Sequence, residues 1–305
     1  MTSEVEPRPA APGTLERVVG VALFFGILVF YLAQLPSFAV PGRWADMLTA
    51  FSGLDPVRPV IRPLWSGLMV GLAALPTPQL ALAANLCSAL IGAAACALLY
   101  GILRRIPFAR TKGWRQRAAQ ERMPRLLAGV VAALYAAFLS PTLIASTRGD
   151  FAAFGVFLFL LACYPSFLYL QRPRVAHLHL TALFLGLALV EYPAMLLMLP
   201  LLALWWLVLV WTGGQRHWLH LLAAFLLAVA LALALALLYA QAYAASAAAA
   251  WQGGVTTGSA LRELARNHLL EMTRCVPKVG WLLIVCTSVV PFLAILFREH
   301  DEPRD

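Results

Sequence analysis

Hydrophobic residues along this chain gather into stretches close to 20 residues long, separated by short polar or proline-bearing breaks. A helix rising 1.5 Å per residue needs about 20 residues to cover the roughly 30 Å of hydrocarbon in a bilayer, so the pattern predicts membrane-spanning helices. The stretches fall at 17–38, 80–103, 126–146, 151–171, 175–211, 218–243 and 279–297. As one helix the 175–211 run would extend about 55 Å, so it is expected to fold into two spans. Its natural break is Glu191-Tyr192-Pro193. The apolar run at 64–75 is too short to cross and is closed by Pro76-Thr77-Pro78, so it is expected to lie along the interface or to dip in and return. The alternating Leu-Ala run at 226–238 has the period of a strand, but its setting inside a longer apolar stretch argues for helix. The expected fold is all-α: a polytopic membrane protein of about eight transmembrane helices, plus an interfacial or re-entrant segment in the first outer loop.

Composition agrees with that pattern. Of 305 residues, 62% are apolar and 12% are charged, against about 25% charged in soluble domains. The net charge is +9, but the basic residues lie between the apolar runs and form no face with interleaved aromatics, which argues against nucleic-acid binding. They concentrate in one loop: Arg104, Arg105, Arg110, Lys112, Arg115, Arg117, Arg122 and Arg125, opposed by Glu121. By the positive-inside rule that loop is cytoplasmic. Alternation from it gives a cytoplasmic tail at 1–16, a single transmembrane domain at 17–297 and a second cytoplasmic tail at 298–305. Within the domain lie a first outer loop at 39–63, the interfacial segment at 64–75, the basic loop at 104–125 and an outer segment at 244–278 holding an amphipathic piece at 261–274. The protein is thus expected in the cytoplasmic (inner) membrane as a multi-pass protein with both termini inside. The acidic residues Glu4, Glu6 and Glu16 in the N-terminal flank are unlike a signal peptide, so the first stretch is expected to be a retained helix.

Five cysteines are scattered, and Cys87, Cys96, Cys163 and Cys286 sit inside apolar runs, where they pack as small residues; no disulfide framework or metal site is indicated. His177 and His179, two apart on a helix, point in different directions and are expected to pack. Trp205, Trp206, Trp211 and Trp218 gather at the inner ends of their spans, as interfacial anchors do.

The topology places Asp46, Asp55, Asp150 and Glu191 on the outer side, although they come from separate parts of the chain. A charged side chain carried to the bilayer centre costs about 2.5–3.5 kcal/mol on insertion scales, so such acids face a cavity or a partner. An acid-lined outer pocket is one reading and ordinary wet loops are the other. Asp55, before Pro56, is most simply a turn residue.

The first outer loop carries the most specific pattern: Gly42-Arg43-Trp44-Ala45-Asp46, then Ser52-Gly53-Leu54-Asp55-Pro56, then Val57-Arg58-Pro59-Val60-Ile61-Arg62-Pro63-Leu64-Trp65. It resembles the first loop of bacterial membrane glycosyltransferases related to the protein O-mannosyltransferases, of the type C glycosyltransferase fold. Members of that family commonly carry Trp-Asp-Ser-Gly-Glu, a Leu-Gly turn, His-Pro-Pro-Gly and Pro-Leu-Tyr. Laid against that pattern, Asp46 takes the place of the final Glu, Leu54 the turn Leu, Pro59 the first Pro after the His, and Pro63-Leu64 the Pro-Leu. Thr147-Arg148-Gly149-Asp150 and Gly186-Leu187-Ala188-Leu189-Val190-Glu191 resemble later family landmarks. Arg43 stands where the family has its first carboxylate, and Arg58 replaces the His. Relatives usually continue beyond the point matching Asp305, so the resemblance implies a short or C-terminally truncated member.

The resemblance implies transfer of a sugar from a polyprenyl-phosphate donor to a protein or glycan acceptor on the outer side of the membrane. Asp46 is then the catalytic base, Asp150 and Glu191 are supporting acids, and Arg58, Arg62 or Arg148 hold the phosphate. The implied partners are membrane lipids, the lipid-linked sugar donor and the acceptor, with no cofactor called for by the residues themselves. Headgroup contact or snorkelling is the alternative for each arginine. The rival for the whole chain is a non-catalytic polytopic protein: a lipid-linked sugar transporter, a flippase-like protein or an assembly subunit. The Arg43 departure favours it.

Overall fold

The computed structural model describes residues 14–36, 62–73, 80–105, 122–171, 174–191, 218–251 and 256–275. All regular structure among them is helical. In chain order the helices are α1 (Thr14–Ala33), α2 (Pro63–Ala73), α3 (Leu80–Leu103), α4 (Arg122–Phe138), α5 (Ser140–Thr147), α6 (Phe151–Gln171), α7 (Val175–Glu191), α8 (Trp218–Trp251) and α9 (Thr257–Cys275).

Length and apolarity make four of them candidate membrane spans: Thr14–Ala33, Leu80–Leu103, Phe151–Tyr169 and Leu222–Ala242. A fifth is possible if α4 and α5, bent by 66° at their junction, form one broken span. The described residues therefore support four or five crossings, not the eight expected. The expected straight span at 126–146 is interrupted, because Leu139 is extended (φ −60°, ψ 128°) and Pro141 follows it. Helix α7 is an apolar helix of 17 residues, shorter than the spans above. The remaining expected spans, in 192–211 and at 279–297, lie outside the described residues. Residues 63–73 form a helix of 11 residues and not a re-entrant loop. The Leu-Ala run at 226–238 is helical, as expected from its apolar setting.

Helix α3 organises the bundle, packing against α1, α4, α5 and α6; α6 continues to α7, and α7 to α8. Small residues make this possible. Ala84, Ser88, Ala89, Gly92, Ala93 and Cys96 of α3 are buried and let neighbouring backbones approach closely. A Cβ added at Gly92 would lie 2.1 Å from Ser146 Oγ and 2.6 Å from Ser146 Cβ. One added at Gly186 of α7 would lie 2.8 Å from the Ala228 carbonyl oxygen of α8. Gly92→Val should therefore force α3 and α5 apart and destabilise the bundle by about 3 kcal/mol, the upper part of the usual overpacking range. Thermal unfolding of the detergent-extracted protein measures it, with wild-type stability as the result that refutes the contact.

The outward sides of the helices carry Val18, Val21, Phe25 and Val29 of α1 and Leu127, Val131 and Tyr135 of α4, all exposed. An apolar outside around a small-residue inside is the arrangement a lipid solvent favours. The two ends of the bundle differ. At one end Glu16 of α1 meets Arg104 at 3.4 Å and Arg122 at 2.9 Å, where α3 finishes and α4 begins. Tyr100 donates to the Glu16 carbonyl at 3.0 Å and is overlain by the Arg104 guanidinium. This is the end from which the basic loop departs. At the other end of α3, Asn85 donates to the Pro36 carbonyl at 2.9 Å, tying down the chain where it enters the first loop.

Helix α8, at 34 residues, is about 51 Å long at 1.5 Å per residue. It continues well past its span at Leu222–Ala242, through residues expected in a separate outer segment. Helix α9 packs against it and starts from a reciprocal cap: Ser259 N–H donates to Thr256 Oγ1 at 3.2 Å and Thr256 N–H to Ser259 Oγ at 3.0 Å.

Candidate functional site

The sequence Arg62-Pro63-Leu64-Trp65 opens α2 in an unusual way. The Arg62 carbonyl accepts from Ser66 N–H at 2.8 Å, which makes Arg62 the N-cap and places Pro63 at the first helical position, where its missing N–H costs nothing. An N-cap normally offers a side-chain oxygen to the N–H groups of the second and third residues. Arginine has only donors. The acceptor comes instead from far along the chain: Glu191 Oε2 accepts from Leu64 N–H at 2.8 Å and Oε1 from Trp65 N–H at 3.2 Å. A carboxylate there also meets the positive end of the α2 dipole.

Arg62 completes the joint from the other side. Its guanidinium donates to the Glu191 backbone carbonyl and lies 4.3 Å over the centre of the Phe151 ring. Arg62 is 3% exposed and Glu191 1%. A charge so deeply buried is tolerable because each is held by several hydrogen-bonding groups or an aromatic face. Trp65, completely buried, packs on Phe154 at 5.7 Å between ring centres and joins Met69 and Ala84 beneath the joint. Four helices thus meet here: α2, the start of α3, the start of α6 and the end of α7.

The turn into α6 supplies the other described candidates. Gly149 has φ 68°, a left-handed conformation that glycine adopts without strain. It turns the chain so that Asp150 Oδ1 accepts from Ala152 N–H at 3.1 Å and caps α6. The Arg148 side chain is exposed at the C-cap of α5. Arg62, Asp150 and Glu191 are therefore gathered at one end of the bundle, across the length of α3 from the Glu16 ion pairs, with Arg148 two residues before Asp150. Asp46 and Arg58 lie outside the described residues, as does Arg43. Among the described residues no three His, Cys, Asp or Glu side chains converge as metal ligands.

Two acids singled out as pocket-lining thus act as caps on helix N-termini, within a chain and between chain segments 127 residues apart. Phe151 and the α2 N-terminus were not singled out from sequence. The available signal was a helix start with no Ser, Thr, Asp or Asn before it, together with a lone acid at the end of an apolar run.

Residues 62–213 match the family model described as the protein O-mannosyl-transferase TMEM260 N-terminal domain. The match begins at Arg62, the N-cap of α2, and takes in Arg148, Asp150 and Glu191. It relates this part of the chain to protein O-mannosyltransferases. No curated protein and no solved structure matches the chain.

Proposed function

We propose that the protein is a membrane glycosyltransferase of the mannosyltransferase type, taking its sugar from a polyprenyl-phosphate donor and passing it to a protein or glycan acceptor. The observation that carries this reading is the match of residues 62–213 to the O-mannosyl-transferase model. The gathering of Arg62, Asp150 and Glu191 at the end of the bundle away from the basic cluster supports it. The fuller topology belongs to the same reading: eight crossings of the cytoplasmic membrane, both termini inside and the site outside, resting on the apolar runs and the basic loop.

In this mechanism the lipid tail stays among the helices and the phosphate sits at headgroup level. Asp46 takes the proton from the acceptor hydroxyl as its oxygen attacks the anomeric carbon. The bond from that carbon to the phosphate oxygen breaks, and polyprenyl phosphate leaves. An arginine holds the departing phosphate by paired hydrogen bonds. Of the described candidates Arg148 is the better placed for this, being exposed, whereas Arg62 is engaged with Glu191 and Phe151. Arg58 is the other candidate. Asp150 and Glu191 support the site by fixing the helix ends around it.

The rival reading, a protein that binds a polyprenyl lipid without turnover, is favoured by Arg43 at the position of the family's first carboxylate. Purified protein in lipid vesicles, given radiolabelled polyprenyl-phosphate sugars and an acceptor mixture extracted from membranes, separates the two. Label passing to acceptor supports the transferase. Saturable binding of the donor with no transfer makes the binding protein the better account.

A further inference from the structure

Pro141 has no N–H, so the Ala137 carbonyl, four residues earlier, has no helical partner at that position. In hydrocarbon no water is present to replace it, and a backbone carbonyl in a broken membrane helix must be satisfied by a neighbour. The neighbour is α1: Tyr31 donates its hydroxyl to the Ala137 carbonyl oxygen at 3.1 Å. Tyr31 is completely buried, with its ring edge 3.2 Å from where a Gly92 Cβ would sit and its oxygen 3.8 Å from Cys96 Sγ. Helix α5 leaves this point at 66° to α4 and carries the chain to Arg148, Gly149 and Asp150. Leu143 of α5 packs on the same cluster as Tyr31 and Ile27.

We propose that Tyr31 is a positioning residue: its hydroxyl closes the carbonyl that Pro141 leaves open and so fixes the bend that sets Arg148 and Asp150 at the candidate site. The hydroxyl suits a chain in which residue 141 has no N–H to offer the Ala137 carbonyl. Without it the bend loses a hydrogen bond that no water in the membrane replaces, and α5 is free to sample other angles. The consequence for sugar transfer rests on the reading above; the control of the bend does not.

The test measures the bend directly. Spin labels are placed at Gln34→Cys and Ile144→Cys, both exposed positions, in a chain whose five native cysteines are replaced by alanine. Ile144 lies five residues past Leu139, about 7.5 Å along the helix, so swinging α5 through its 66° moves that position by about 8 Å. With Tyr31 present a single narrow distance is expected. Tyr31→Phe, which removes the hydroxyl and keeps the ring, should add a second population displaced by up to about 8 Å. An unchanged narrow distribution in Tyr31→Phe overturns the proposal. Should Tyr31→Phe yield no folded protein, Tyr31→Phe/Pro141→Ala decides, because residue 141 then has an N–H for the Ala137 carbonyl. Recovery of folding with a displaced distance supports the proposal; a chain equally unfolded, or folded with the original distance, refutes it. Transfer is assayed in parallel on the unlabelled Tyr31→Phe variant. A parent chain that never transfers sugar, with the displacement still appearing in Tyr31→Phe, removes the transferase reading and leaves the role of Tyr31 intact.

Discussion

Asp46→Asn is expected to lower sugar transfer by about a hundredfold or more, because a positioned general base contributes typically 10² to 10⁴ in rate. The amide is nearly isosteric and cannot take the proton of an attacking hydroxyl. Expression and donor binding should stay close to wild type, since the donor is held by its phosphate and its lipid tail. Asp55→Asn, at a turn before proline, should change transfer by far less. The measurement is initial rate at saturating polyprenyl-phosphate sugar, with donor binding followed separately in the same vesicles. Unchanged turnover in Asp46→Asn removes the residue from the mechanism.

Glu191→Ala should act on stability, and strongly. It deletes both oxygens that hold the first N–H groups of α2 and leaves those donors buried without an acceptor, and it removes the negative charge beside the Arg62 guanidinium, which keeps its bond to the backbone carbonyl of residue 191. Removing one side of a buried charged arrangement costs about 3–5 kcal/mol, since the remaining groups keep their desolvation penalty. Glu191→Gln keeps one carbonyl oxygen as acceptor and should lose roughly half as much by the same reasoning. Thermal unfolding of the extracted protein gives the ranking: wild type above Gln above Ala. A loss confined to transfer, with both variants as stable as wild type, would make Glu191 a reacting group and not the clasp between α2 and α7.

A helix is legible in the sequence where a long apolar run lies next to a clear stop. The stretch at 80–103 is bounded by Pro76-Thr77-Pro78 and by Arg104-Arg105, and the structure gives α3 the same limits, Leu80–Leu103. The run at 126–146 has the composition of one span, because apolar residues count alike whether the backbone is straight or bent. Pro141 signalled a break, but its angle and the residue that stabilises it depend on Tyr31, 106 positions away. The amphipathic piece at 261–274 lies inside α9, whose capping pair Thr256 and Ser259 is local and readable from sequence.

By itself the sequence determined that this is an all-helical membrane protein, which ends of the helices carry the arginines, and that the first loop resembles that of membrane glycosyltransferases. Those properties follow from run length, residue type and spacing along one segment, and bilayer thickness and backbone hydrogen bonding leave such segments little choice. Only the tertiary structure decided what Arg62, Asp150 and Glu191 touch. A carboxylate in an outer turn reads the same whether it faces a substrate or caps a helix, and Glu191 acquires its partners, Leu64 and Trp65, from a helix well over a hundred residues earlier. A buried charge is tolerable only beside specific donors and acceptors, and which ones it meets is set by how small residues such as Gly92 and Gly186 let the helices close on one another.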